Sequence, residues 1–210
     1  MNAGDGRMKT IRMAAVCMAT WMTALALTAA AGAQVTDYKI DPAHSEADFA
    51  IKHMSISTVH GSFRAVSGVV HFDATDLAKS GVEATIDVNS VDTGVAARDG
   101  HLKSPDFFDT AKFSTMTFKS TKVMKAGDHY DVTGDLTLHG VTKPVVLRME
   151  DPGKPQKDAK GATHRGFTAT TTLNRKDFGL KWGGTTAAGD AVLGDDVKVE
   201  LDIEAVAAAS

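Results

Sequence analysis

A single all-β domain of eight or nine antiparallel strands is what this 210-residue sequence predicts, on three observations. Apolar and polar residues alternate with a period of two through most of the chain beyond residue 34, the pattern of strands buried on one face and solvated on the other. Short turn signals such as His139-Gly140 separate successive runs. No helical pattern long enough for a crossover lies between strands, which disfavours a parallel βαβ sheet.

The elements follow in order. Strands are expected at Thr36 to Ile40, Ala47 to His53, Val59 to Phe72 with a bend at Gly61 or Gly68, and Val82 to Val88. Further runs cover Ser114 to Met124, Tyr130 to Leu138, Val141 to Met149, Arg165 to Asn174 and Val197 to Glu204. In the last of these Val197, Val199, Leu201 and Ile203 face one way and Lys198, Glu200, Asp202 and Glu204 the other. His139-Gly140 has the length of a tight hairpin turn, and Pro144 marks an edge, a bulge or a strand start. Lys154 to Gly161 reads as a solvated loop. Such strands form either a sandwich or a closed barrel, and local pattern does not separate the two. Small residues at Ala84, Ala169 and Thr171 favour an unfilled interior if the sheet closes.

Residues 1–33 carry a different signal. Arg7, Lys9 and Arg12 precede an apolar run from Met13 to Ala31, and Ala31-Gly32-Ala33 supplies the small residues of a cleavage site. This is the pattern of a secretory signal peptide cleaved after Ala33, leaving 34–210 as one domain and placing it in the periplasm; a retained anchor is the alternative. The single cysteine, Cys17, falls inside that run, so the mature domain must hold together without disulfides. Cleavage takes the 23 basic and 26 acidic residues to 20 and 25, with no dense basic tract. Nucleic acid is therefore not an expected partner, and stable membrane insertion after cleavage is not expected either.

The segment Arg98 to Asp109, RDGHLKSPDFFD, breaks the alternation and predicts a short helical insertion near residues 92–110. Asp99 suits a helix cap, and Arg98 an ion pair with Asp106 or Asp109. Phe107 and Phe108 are adjacent, so if Pro105 starts a helical turn they cannot share a face, and one then caps the core while the other lines an entrance; both packing the insertion down is the plainer reading. The histidines His53, His60, His71, His101 and His139 lack metal-ligand spacing, and no metal site is expected. There is no GxSxG elbow and no cysteine nucleophile, so no catalytic residue is assigned.

RDGHLKSPDFFD, VTGDLTLHGVTKPV at Val132 to Val145, LNRKDFGL at Leu173 to Leu180 and the opening YKIDPAHSEADFAIKHM together resemble the YceI family of exported lipid-binding proteins, over Tyr38 to Ala205. The resemblance implies a lipocalin-like antiparallel β-barrel of about eight strands enclosing a polyisoprenoid or related lipid tail. It implies non-catalytic binding, storage or transport of that lipid in the cell envelope, with no cofactor beyond the bound lipid. Alternation selects Phe49, Ile51, Ile86, Phe118, Leu136, Leu138, Phe167 and Leu201 as lining candidates, with Phe107 and Phe108 from the insertion. Arg98, Asp99 and His101 are the candidates for a portal or head-group site. An enzyme acting on such a lipid through those three residues is the alternative, and a purely structural envelope protein ranks third. The sequence leaves a homodimer open.

Overall fold

The computed structural model describes residues 35–208, and the expected leader lies outside them. Twelve strands are present: β1 (Val35–Ile40), β2 (Glu46–His53), β3 (Ser57–Phe63), β4 (Val66–Asp73), β5 (Gly81–Asp87), β6 (Val91–Asp92), β7 (Thr115–Ala126), β8 (His129–Leu138), β9 (Val141–Glu150), β10 (Gln156–Lys157), β11 (Thr163–Asn174) and β12 (Leu193–Ala207). One α-helix, α1 (Ala96–Lys103), lies inside the expected insertion.

These strands make eight long runs, because β1 with β2, β3 with β4, and β5 with β6 are each one strand interrupted. β1 and β2 pair antiparallel with successive parts of β12, and β4 and β3 pair with β1 and β2 in turn. From there each run pairs with the next in sequence, and β12 pairs with β11 from Val206 to Asp196, so the ring closes. The fold is a closed eight-stranded antiparallel up-and-down barrel. The choice between sandwich and barrel, open to local pattern, is decided by the pairing of the first run with the last.

The breaks have local causes. At residues 41–45 the ladder to β12 is bridged by Ser45, whose Oγ accepts from Glu204 N at 3.0 Å and donates to Glu204 O at 3.1 Å. The bend expected at Gly61 or Gly68 falls instead at Arg64-Ala65, where Ala65 N donates to Ser90 Oγ and Ala65 O accepts from Asp87 N. Gly61 serves packing: an added Cβ there would lie 2.4 Å from the Phe49 ring. The Lys154 to Gly161 loop contains the two-residue β10, which pairs with β11. β12 begins at Leu193, four residues earlier than expected, with a register shift before Val197.

His139 and Gly140 both have positive φ, 50° and 73°, as the predicted two-residue turn requires. His139 is held there by its ring edge on Phe113 at 4.6 Å and by Nδ1 at 3.2 Å from Phe178 O. Pro144 sits in the stretch of β9 that faces β11 without pairing to it, because that ladder is confined to Met149↔Ala169 and Arg148↔Thr170. Thr171 Oγ donates to Val146 O at 2.9 Å across the opening, and the 3-10 turn Arg175–Phe178 closes it with Phe178 buried beneath.

Two predictions test this frame. Gly68 has φ 148°, and a Cβ on it would meet Glu83 O at 2.1 Å, so Gly68→Ala should lose about 2–4 kcal/mol in denaturant unfolding, with the far-ultraviolet spectrum retained in the folded fraction. At the β11–β12 pair the Glu204 carboxylate 2.7 Å from Nδ1 raises the His164 pKa, outweighing partial burial. The stabilisation is therefore complete below the ordinary value of about 6.5 and fades as pH rises through the raised folded value. His164→Gln should lower Tm more at about pH 5.5 than at about pH 8.5, and an equal loss at both would exclude the charged pair.

Candidate functional site

The inward faces of the staves enclose apolar space. An inner chamber of about 190 Å³ is walled by residues such as Ile86, Phe118, Leu136, Phe167 and Leu201, with Asp48, Ser80 and Thr171 its only polar members among the described residues. A second chamber of about 430 Å³ lies at the α1 end and is bordered by Ile51, Phe107 and Phe108. Phe49 and Leu138 line both, together with Phe63, Met116, Leu173 and Val199, so the two chambers adjoin. All ten lining candidates read from alternation and the insertion therefore border this space. An apolar cavity of about 150 Å³ already stays dry and accepts a benzene-sized guest, so the inner chamber alone exceeds that size.

The portal candidates are placed differently from one another. Arg98 and His101 border the outer chamber, whereas Asp99 does not. Arg98 makes no ion pair with Asp106 or Asp109: its Nε donates to Thr93 Oγ at 2.7 Å and its Nη2 to Thr93 O at 2.9 Å. Asp109 instead bonds Lys112 at 2.8 Å, and Asp106 lies 3.0 Å from His101 Nε2. Asp99 is not the helix cap either. Val95 holds that position without a side-chain bond, while Asp99, in the first turn, accepts from Thr93 N at 2.9 Å and Thr93 Oγ at 2.6 Å. Thr93 is thus the knot that fixes the start of α1, and two of the three portal candidates are spent on it.

Pro105 follows the helix rather than starting a turn of it, since α1 ends at Lys103. The two phenylalanines meet different rings, and both are packed against the domain. Phe108 meets the core ring of Phe63 at 5.6 Å. Phe107 packs on Trp182 at 4.9 Å and on His101 at 4.9 Å, and His101 meets Trp182 at 5.3 Å.

Trp182 and Arg175 are site residues that alternation does not reveal, because both lie in the segment linking β11 to β12. Arg175 ties that segment down: Nη1 donates to Leu180 O and Trp182 O at 2.6 Å, Nε to Gly194 O at 2.8 Å, and Nη2 lies 3.3 Å from Asp195. Burial lowers the pKa of this guanidinium, and the Asp195 carboxylate opposes the shift. The LNRKDFGL motif was the available signal for Arg175, which it contains, whereas Trp182 lies two residues beyond its end.

Away from the chambers, Asp41, His44 and Glu204 bring ligand atoms within 4.8 Å of one another. His44 Nδ1 is 2.9 Å from Asp41 Oδ2, and Glu204 is engaged by His164, so the group is internally paired.

The YceI-like domain model matches residues 38–205. Protein YceI of Escherichia coli O157:H7 is 44% identical over 163 residues, covering 76% of this chain and 85% of that protein. A UPF0312 protein of Vibrio vulnificus is 43% identical over 189 residues, 88% of this chain and 95% of its own length. Among solved structures, Burkholderia cenocepacia BcnA superposes with a TM-score of 0.68 at 25% identity, covering 79% of this chain and 98% of that one. A polyisoprenoid binding domain from Saccharophagus degradans gives 0.59 at 19% identity over 83% of this chain and 100% of its own, a likeness of fold. With the family pattern spanning the whole barrel and the relatives aligned over most of their length, this chain belongs to the YceI-like family.

Proposed function

We propose that this protein is a carrier that binds the long apolar tail of a lipid, a polyisoprenoid in the first instance, inside the barrel without transforming it. The observation that supports this most directly is the pair of adjoining chambers, apolar along the inner one and reaching to the aromatic cover at the α1 end. Each buried methylene is worth roughly 0.8 kcal/mol, so a five-carbon isoprenoid unit is worth about 3–4 kcal/mol before the tail is ordered. Affinities level off near about −18 to −21 kcal/mol, so the walls discriminate by length and girth. The polyisoprenoid binding named for the Saccharophagus degradans domain agrees with this ligand class.

Binding without turnover is supported by the use made of the polar side chains near the mouth. Arg98 and Asp99 are engaged by Thr93, and His101 is paired with the exposed Asp106, so these side chains are used to hold the insertion. The leader-like residues 1–33 support export and work in the periplasm, where a lipid tail needs shelter from water to leave a membrane.

Protein purified from its own host should carry a hydrophobic adduct in native mass spectrometry that is released on denaturation; repeated recovery of empty protein would overturn the carrier reading. Ile86 borders the inner chamber, so Ile86→Trp should cut lipid uptake by about tenfold or more while circular dichroism is unchanged. Undiminished uptake would place the tail elsewhere. With Trp21 in the expected leader, Trp182 is the one tryptophan of the mature chain, and its emission should shift to the blue when a lipid fills the outer chamber.

A further inference from the structure

The end of the barrel opposite α1 is closed by an arginine. Arg165 is only 9% exposed, and its guanidinium lies 4.0 Å over the Phe72 ring and 5.9 Å from that of Tyr38. Nη1 donates to Gly153 O at 2.6 Å and reaches Pro152 O at 3.5 Å. No ion pair to Arg165 exists among the described residues, and its buried Nε has no acceptor. By contrast Arg64, Arg148 and Arg175 face Asp92, Asp128 and Asp195, and Arg98, which has no carboxylate partner either, gives both Nε and Nη2 to Thr93. A guanidinium withdrawn from water with neither counter-charge nor full hydrogen bonding is costly, and the cost is offset when an anion arrives.

The unused side of the group is the informative one. With Nη1 given to carbonyls, Nε and Nη2 remain, and that edge of the guanidinium meets two oxygens of one carboxylate or phosphate with parallel N–H bonds. Arg165 also borders a groove of about 580 Å³ together with Lys154 and Tyr130, which add a cation and a hydroxyl; Asp151 is the acid on its rim, and the Thr75 hydroxyl there is given to Asp73. Phe72 and Leu77 line both this groove and the inner chamber, so Arg165 stands at the wall between solvent and the apolar interior.

We propose that the Nε/Nη2 edge of Arg165, with Lys154 beside it, binds an anionic oxygen group, phosphate or carboxylate, at the end of the barrel remote from α1. The group is either the polar end of a lipid whose tail occupies the chambers, which rests on the carrier reading, or a free anion entering by the groove, which does not.

Calorimetry on the delipidated mature protein tests this with three probes: inorganic phosphate, farnesyl phosphate and farnesol. Inorganic phosphate bound by the wild type and weakened about tenfold or more by Arg165→Met marks a free-anion site. Farnesyl phosphate preferred over farnesol by about tenfold, with the preference lost in Arg165→Met and farnesol affinity unchanged, marks the lipid's own polar end. Farnesol binding with no Arg165-dependent preference for either phosphate overturns this inference and leaves the carrier reading standing. Arg165-dependent binding of inorganic phosphate with no binding of either lipid does the reverse. Should Arg165→Met fail to fold, exposed Lys154→Ala takes its place; a several-fold loss of phosphate or farnesyl phosphate affinity supports the site, and unchanged affinity for both overturns it.

Discussion

Everything in this molecule depends on β12 being paired along both edges. Its fifteen residues meet β11 on one side and β2 followed by β1 on the other. That double pairing converts a meander into a ring and removes the free edges that would otherwise template association with other chains. It also requires the first stave to turn a corner at residues 41–45 without losing the ladder. Ser45 resolves this by bonding both backbone groups of Glu204, and Asp41 N donates to the same Glu204 carbonyl. The ring has one weak joint, β9 against β11, where two residue pairs hold and Thr171 and Phe178 fill the remainder.

Closure of eight staves leaves an interior narrow enough for side chains to fill or wide enough for one guest, and side-chain size decides between them. Here Ala47, Ala84, Ala169 and Thr171 sit on the inward faces among Phe49, Phe118 and Phe167, so bulk is concentrated in a few rings and space is left between them. The two ends of that space differ in chemistry. One is covered by Phe107, Phe108 and Trp182 with His101 at their edge. The other is closed by a cation lying on aromatic faces.

The wall was legible in the sequence because a period of two is enforced at every position of a half-buried strand: Val82, Ala84 and Ile86 all turn inward, as do Ala47, Phe49, Ile51 and His53. What alternation does not carry is long-range pairing, so closure by β12 and the break at Arg64-Ala65 were invisible locally. The bonding of Arg98 and Asp99 differs from the expectation for another reason. Arg98 looked like a partner for Asp106 or Asp109 and Asp99 like a helix cap, but a turn two residues long brings Thr93 within reach of both, and a nearby hydroxyl costs less chain ordering than a remote carboxylate. Arg165 did leave a trace, since it stands in register with the inward-facing Phe167, Ala169 and Thr171; an arginine on that face was the available sign of a special end.

The same pairing decides where a guest can enter. Parting two fully paired staves breaks a run of backbone hydrogen bonds in a single cooperative step, whereas α1 has no buried residue among its eight and is held by Thr93, by its own Leu102 and His101, and by the flanking phenylalanines. Local opening takes the element with least burial first. The contact of Phe108 with Phe63 is independent of the β12 ladder, so the cover at this end and the wall of the barrel are held by separate interactions. The apolar space behind that cover continues to Phe72 and Leu77, which separate it from the groove that Arg165 borders.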